Sequence, residues 1–205
     1  VEQGTSEWKL ARCGKVTASR VADVIAKTKS GYGASRANYM AELICERLTG
    51  MPTEGYTSAA MQHGIDTEPM ARSAYESAVG ALVVEAGFVP HRVIHMSGAS
   101  PDGLVDDDGL IEIKCPQTAT HIDTLLSDAV PSKYIIQMQW QMACTGRKWC
   151  DFLSYDPRLS ENMRLFVKRV PRDDAFIAEL EREVMSFLSE LEDKLRKLKD
   201  KYDGI

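Results

Sequence analysis

Two short stretches constrain the fold most: Ser100-Pro101-Asp102-Gly103-Leu104-Val105 and Gly109-Leu110-Ile111-Glu112-Ile113-Lys114-Cys115-Pro116. The run Asp106-Asp107-Asp108-Gly109 joins them and reads as a turn between apolar segments, so a β-hairpin is expected. Strand side chains alternate faces, which puts Glu112 and Lys114 on one face and Ile113 on the other. The hairpin brings Asp102 near Glu112. Two carboxylates and an amine on one surface can hold a divalent cation and manage a water nucleophile. Hard cations such as Mg²⁺ take oxygen ligands; Asp102 and Glu112 offer anionic ones and the main-chain carbonyl of Ile113 a third. Lys114 suits orienting or deprotonating the water, or neutralising an attacked phosphate. Beside a cation its ammonium form is disfavoured, which favours a basic role. By spacing alone the trio also describes a hairpin with a charged solvent face. The flanking Ser-Pro-Asp-Gly and the apolar-flanked Glu-Ile-Lys-Cys-Pro narrow that choice.

Three further blocks accompany the hairpin. They are Trp8-Lys9-Leu10-Ala11-Arg12 with Gly14-Lys15-Val16-Thr17-Ala18-Ser19, then His63-Gly64-Ile65-Asp66-Thr67-Glu68, then Tyr134-Ile135-Ile136-Gln137-Met138-Gln139-Trp140-Gln141-Met142 with Thr145-Gly146. In this order and spacing the chain resembles the PD-(D/E)xK nucleases, and more narrowly the lambda exonuclease (YqaJ-type viral recombinase) family, over about 2–171. The resemblance implies an α/β fold: a central mixed β-sheet flanked by helices, with a restriction-endonuclease-like core. It implies a Mg²⁺-dependent (alternatively Mn²⁺-dependent) 5′→3′ exonuclease that hydrolyses double-stranded DNA from 5′-phosphorylated ends to mononucleotides, leaving a 3′ single strand. The alternatives are an endonuclease of the same superfamily and a non-catalytic DNA-end binding protein. The implied partners are double-stranded DNA ends, two further copies in a homotrimeric ring, and a single-strand annealing protein in phage recombination. The implied location is the cytoplasm of a bacterial host.

The resemblance also assigns residues. Glu68, otherwise a solvated helix glutamate, matches a glutamate of the catalytic centre. Gln137 and Gln141 lie one helical turn apart on one face, with Met138 and Met142 on a buried side. Gln137 matches a residue positioning the attacked phosphate or water, with Tyr134 nearby; both Tyr134 and Gln141 are expected to contact DNA. Gln141 stands where the wider superfamily often has tyrosine. Arg12, Ser19 and Ser100 match a pocket for the terminal 5′-phosphate, where a guanidinium binds bidentately and hydroxyls add donors. Met61 matches an apolar wedge that splits the terminal base pair. Lys29, in the polar stretch 27–35, is expected to contact the duplex.

With 205 residues and 44% hydrophobic content, the chain is expected to form one nuclease domain over 1–205. No apolar run reaches membrane-span length and no signal-peptide pattern opens the chain; a start at Val1 is expected of a trimmed or processed terminus. Five cysteines, an odd number without Cys-x-x-Cys, predict free thiols. Their spacing does not resemble the four-cysteine iron–sulfur pattern of some superfamily members. A formal net charge of -5 is awkward for an enzyme whose substrate is polyanionic. It is reconciled if Lys9, Arg12, Lys15, Arg20, Lys27, Lys29 and Arg36 gather on one surface.

Periodicity predicts helices over 7–12, 17–26 (Thr17 as N-cap), 39–48, 58–79, 118–126 and 132–144. Strands are expected over 81–89, 91–96, the hairpin, 149–155 and 164–170. A long amphipathic helix over about 173–201 carries the stripe Phe176, Leu180, Val184, Phe187, Leu191, Leu195 and Leu198.

Overall fold

The computed structural model describes residues 1–53 and 55–203. In chain order it contains α1 (Ser6–Arg12), β1 (Val16–Thr17), α2 (Val21–Ile25), β2 (Lys27–Thr28), β3 (Gly31–Tyr32), α3 (Ala34–Thr49), α4 (Ala59–Val79), β4 (Val83–Val84), β5 (Val89–Pro90), β6 (Ser97–Ala99), β7 (Gly103–Val105), β8 (Gly109–Lys114), α5 (Thr118–Ser127), α6 (Ser132–Thr145), β9 (Trp149–Tyr155), β10 (Leu165–Pro171) and α7 (Asp174–Tyr202). The central sheet has the order β10-β9-β8-β7-β4; β8 and β9 run parallel and the other neighbours antiparallel, so the sheet is mixed. A smaller sheet, β1-β6-β5, lies beside it.

Alternation along β8 divides the core. Leu110 packs on one face with Met138 and Met142 of α6 and Phe152 of β9. Ile111 and Ile113 pack on the other with Ala71 and Tyr75 of α4. The central strands are therefore covered on both faces, by α4 and α6. A further core lies under α7, where Leu180, Val184, Phe187 and Leu191 meet Tyr39, Met40 and Leu43 of α3 and Trp140 of α6. The expected stripe of α7 is thus a packing surface; Ile177 joins it, whereas Leu198 is 39% exposed. No helix among the described residues is long and apolar enough to cross a membrane.

Local chemistry accounts for the boundaries. Ser58 caps α4 by accepting from the Met61 N–H at 3.1 Å, as expected of an N-cap serine. The helix ends at Gly80, whose φ of 69° suits glycine. Asp173 caps α7 in the same manner as Ser58 caps α4, by accepting from the Phe176 N–H. At Gly109 a Cβ would fall 2.1 Å from the Trp149 ring, so only glycine lets β8 approach β9 at this register.

Two predicted regions differ. The expected helix over 17–26 is divided: Thr17 belongs to β1, pairs with Gly98 of β6, and makes no side-chain cap. Its N–H is satisfied by the Tyr39 hydroxyl at 3.1 Å, a long-range partner that local periodicity does not reveal. The strand expected over 81–89 shrinks to β4 and the start of β5, and none forms over 91–96, with β6 beginning only at Ser97. His91 is the reason at the second: its Nδ1 accepts from the N–H groups of Val93 and Ile94, folding the segment into a turn. α3 also begins earlier than expected, at Ala34.

Candidate active site

The hairpin delivers its charged groups to one end. Asp102 precedes β7 and its Oδ2 accepts from the Ile113 N–H of β8 at 2.7 Å. Glu112 is 1% exposed, so its carboxylate needs internal donors. It has three. Gln137 Nε2 donates to Oε1 at 2.8 Å, Gln141 Nε2 to Oε2 at 2.6 Å, and Lys114 Nζ lies 2.5 Å from Oε1. The i, i+4 spacing on α6 aims both glutamines at this one carboxylate. Tyr134, one turn earlier, stacks on Phe152 with ring centroids 5.5 Å apart and places its ring 4.8 Å from Lys114 Nζ.

Charge is crowded here. Burial pushes the Asp102 carboxyl well above its ordinary range, and the negative charges of Glu112 and Glu68 push it further. Burial acts against the Lys114 ammonium, but Glu112 and Asp102 outweigh it and hold the amine above the usual lysine range. Without a cation Lys114 is therefore an ammonium, opposite to the basic form expected beside one. Burial also raises Glu68 on α4, against the charge of Arg72. Arg72 donates to Glu68 Oε1 at 2.8 Å, pairs with Glu85, and reaches the Asp102 carbonyl at 3.5 Å.

Among the described residues no three His, Cys, Asp or Glu side chains converge as a ready metal cage. The donor set is Asp102 and Glu112, with Ile113 between Glu112 and Lys114 in β8. Two carboxylates fit Mg²⁺, which keeps several of its own waters. Burial first, and repulsion from Glu112 and Glu68 second, disfavour the Asp102 charge, and a cation bound there would offset both.

A second group forms beside the hairpin. Trp8 Nε1 donates to Ser100 Oγ at 2.9 Å, and the Arg12 guanidinium lies 3.9 Å over the Trp8 ring. Arg12 Nε is buried without a hydrogen-bond partner among the described residues, and burial lowers the pKa of the group. Ser19 Oγ lies 3.5 Å from Thr17 Oγ1. Thr17 pairs with Gly98 in the parallel ladder, so Ser19 and Ser100 each follow that pair by two residues. Lys29 is exposed in the turn between β2 and β3. Met61 is 54% exposed in the first turn of α4, with Ile65 exposed one turn later, so neither is core.

Two expectations are corrected. Gln141 is completely buried and spends its amide on Glu112, which leaves no surface for a duplex contact. The basic residues near the N-terminus are not a free cationic face. Arg20 pairs with Asp23 and Glu42, Lys27 with Glu183, and Arg36 with Glu190, whereas Lys9, Lys15 and Lys29 form no ion pair among the described residues. Trp8 and Arg72 join the site without a role expected from the sequence. Trp8-x-x-x-Arg12 and Glu68-x-x-x-Arg72 are both i, i+4 pairs on one helix face, the signal that points to them.

A mixed sheet between helices, with Asp102, Glu112 and Lys114 gathered at one end of its central hairpin, is the restriction-endonuclease-like α/β core. The chain belongs to the YqaJ-like viral recombinase domain family, whose model matches residues 7–148. It is similar to an alkaline exonuclease (LHK-Exo) from Laribacter hongkongensis: 56% identity, 98% of this chain and 99% of that one covered, TM-score 0.92. A structure of LHK-Exo in complex with dAMP matches with the same values. A phage related exonuclease from Haemophilus somnus 129PT shares the fold at 17% identity, with 90% of this chain and 96% of that one covered and a TM-score of 0.73. No protein with a curated description matches the chain.

Proposed function

We propose that the chain is a divalent-metal-dependent exonuclease that degrades double-stranded DNA 5′→3′ from a 5′-phosphorylated end, releasing mononucleotides and leaving a 3′ single strand. The observation that carries this reading is the Asp102, Glu112 and Lys114 cluster in a chain 56% identical to an alkaline exonuclease that has been crystallised with dAMP.

Asp102, Glu112 and the Ile113 carbonyl would hold the cation, Mg²⁺ or Mn²⁺. When bound there, it supplies Lewis acidity toward a phosphate oxygen and lowers the pKa of water. Glu112 is kept in place by Gln137 and Gln141. Lys114 stands at the same carboxylate, oriented by the Tyr134 ring, and presents its ammonium to charge developing on the phosphate. Glu68, set by Arg72, adds a carboxylate at the rim of the cluster. Arg12, Ser19 and Ser100 grip the terminal phosphate. The unpartnered Arg12 Nε supports that role, because a buried guanidinium donor lacks an acceptor that a phosphate monoester provides. Met61 stands exposed for the wedge role and Lys29 for the duplex backbone. A homotrimeric ring, a single-strand annealing partner and action in the bacterial cytoplasm complete the proposal on family grounds.

The test is digestion of linear duplex carrying one labelled 5′-phosphate, beside the same duplex with a 5′-hydroxyl and a covalently closed circle. Mg²⁺-dependent release of mononucleotide from the phosphorylated end alone is expected. Cutting of the circle favours an endonuclease; binding of ends without any release makes the chain a DNA-end binding protein.

A further inference from the structure

The inner oxygen of Glu112 is governed by residues that no substrate reaches. Gln137 and Lys114 both serve Oε1, whereas among the described residues Oε2 accepts only from Gln141 Nε2, at 2.6 Å. Gln141 is fully buried, and its own oxygen faces another buried group: Cys150 Sγ lies 3.9 Å from Gln141 Oε1 as a weak donor. A carboxamide can present either end. Turned over, Gln141 would set its carbonyl oxygen against a carboxylate, two acceptors facing each other in a buried setting. The thiol of Cys150 favours the observed orientation because S–H donates and the amide NH₂ does not accept. Burying an amide and a thiol beneath one carboxylate costs stability that an apolar pair of similar volume would avoid. The neighbours on α6, Met138 and Met142, are such apolar residues.

We propose that Gln141 and Cys150 form a buried positioning relay that fixes the Glu112 carboxylate and thereby sets the site's affinity for its divalent cation. This rests on the metal-dependent reading above. Cys150 orients Gln141, Gln141 orients Glu112, and Glu112 meets the cation. Neither Gln141 nor Cys150 touches DNA, so the relay acts on cation affinity and not on substrate affinity. Partners that orient ligands in this manner typically change metal affinity by about 10–100-fold when removed.

The experiment measures Mn²⁺ binding to the DNA-free protein by titration calorimetry and by electron paramagnetic resonance of free Mn²⁺. Gln141→Leu is expected to weaken Mn²⁺ binding by about tenfold or more. Its Mn²⁺ requirement in DNA digestion rises in parallel, while KM for DNA stays at the parent value. Cys150→Ala is expected to weaken Mn²⁺ binding by a smaller factor, and Cys150→Ser, which retains a donor, to recover part of that loss. If Gln141→Leu does not fold, the Cys150 pair decides. A Gln141→Leu protein that folds and binds Mn²⁺ like the parent overturns the relay, as does a Cys150→Ser no better than Cys150→Ala. A parent chain that binds no Mn²⁺ overturns the metal-dependent reading itself, which separates the two failures.

Discussion

Asp102 and Ile113 are bound across the hairpin: the Ile113 N–H donates to Asp102 Oδ2 at 2.7 Å. This bond ties the residue before β7 to the strand that carries Glu112 and Lys114, so the backbone and the carboxylate cluster are set together. It also holds a carboxylate where burial and Glu112 disfavour its charge.

Asp102→Asn keeps an acceptor for Ile113 while removing that charge. An acid whose folded pKa is raised costs stability once pH passes its unfolded value, since the folded state keeps a proton that the unfolded chain releases. The variant is therefore expected to be more stable than the parent in chelator at pH 7, yet inactive. Thermal unfolding in EDTA checks the first part and digestion of linear DNA the second. A loss of stability in EDTA contradicts the electrostatic account.

Lys114→Ala removes the ammonium at Glu112 but leaves both proposed cation ligands in place. Cleavage is expected to fall by about 10²–10⁴-fold with DNA binding retained, read by single-turnover digestion beside a gel-shift assay. Unchanged cleavage removes Lys114 from the mechanism.

Arg12 stacks on Trp8, which donates to Ser100. If these residues hold the terminal phosphate, Arg12→Ala erases the preference for phosphorylated over hydroxyl ends, through a slower rate on the former only. Losing one charge-assisted contact is worth about 1.5–3 kcal/mol, or roughly 10–100-fold in rate on phosphorylated ends. Equal rates on both ends in the parent remove the pocket from the argument.

Asp156 supplies a pH-dependent element away from the site. Its Oδ2 accepts from the Thr118 hydroxyl at 2.6 Å and its Oδ1 from Arg158 Nε at 2.7 Å, linking the end of β9 to the start of α5. Burial alone would push this carboxyl up, but the bonds from Arg158 and Thr118 outweigh it and bring it down to about 2. The unfolded value is about 3.9. Between the two the unfolded chain binds more protons, so stability rises with pH across that window. The contribution is complete above the unfolded value and is lost as pH falls through about 2. Asp156→Asn is expected to cost roughly 2 kcal/mol at pH 7, a deficit that shrinks toward zero near the folded value. Urea unfolding at several pH values measures it, and a constant deficit throughout would falsify the assignment.

Elements whose partners are local were legible in the chain. The hairpin follows from alternation around Asp106–Gly109, β9 matches its expected span, and α6 and α7 differ by about a residue at an end. Their periodicities state directly which side must be buried. Thr17 departs from its expected helix because its partner is distant, and the segment after Pro90 departs from its expected strand because a side chain turns the backbone. Thr17 pairs with Gly98, and His91 satisfies its own neighbours' N–H groups where a strand was expected. Two-residue strands carry too short a pattern to announce themselves.

The sequence by itself determined that Asp102, Glu112 and Lys114 meet, because a hairpin turn and a two-residue period leave them one shared end. It determined too that Gln137 and Gln141 share a helix face. Only the tertiary structure decided what that face meets. Burial of Gln141 against Glu112, capture of Arg20, Lys27 and Arg36 by Glu42, Glu183 and Glu190, and the bond from Trp8 to Ser100 each depend on elements far apart in the chain. Such contacts arise from packing whole helices on a sheet, and no local spacing encodes them.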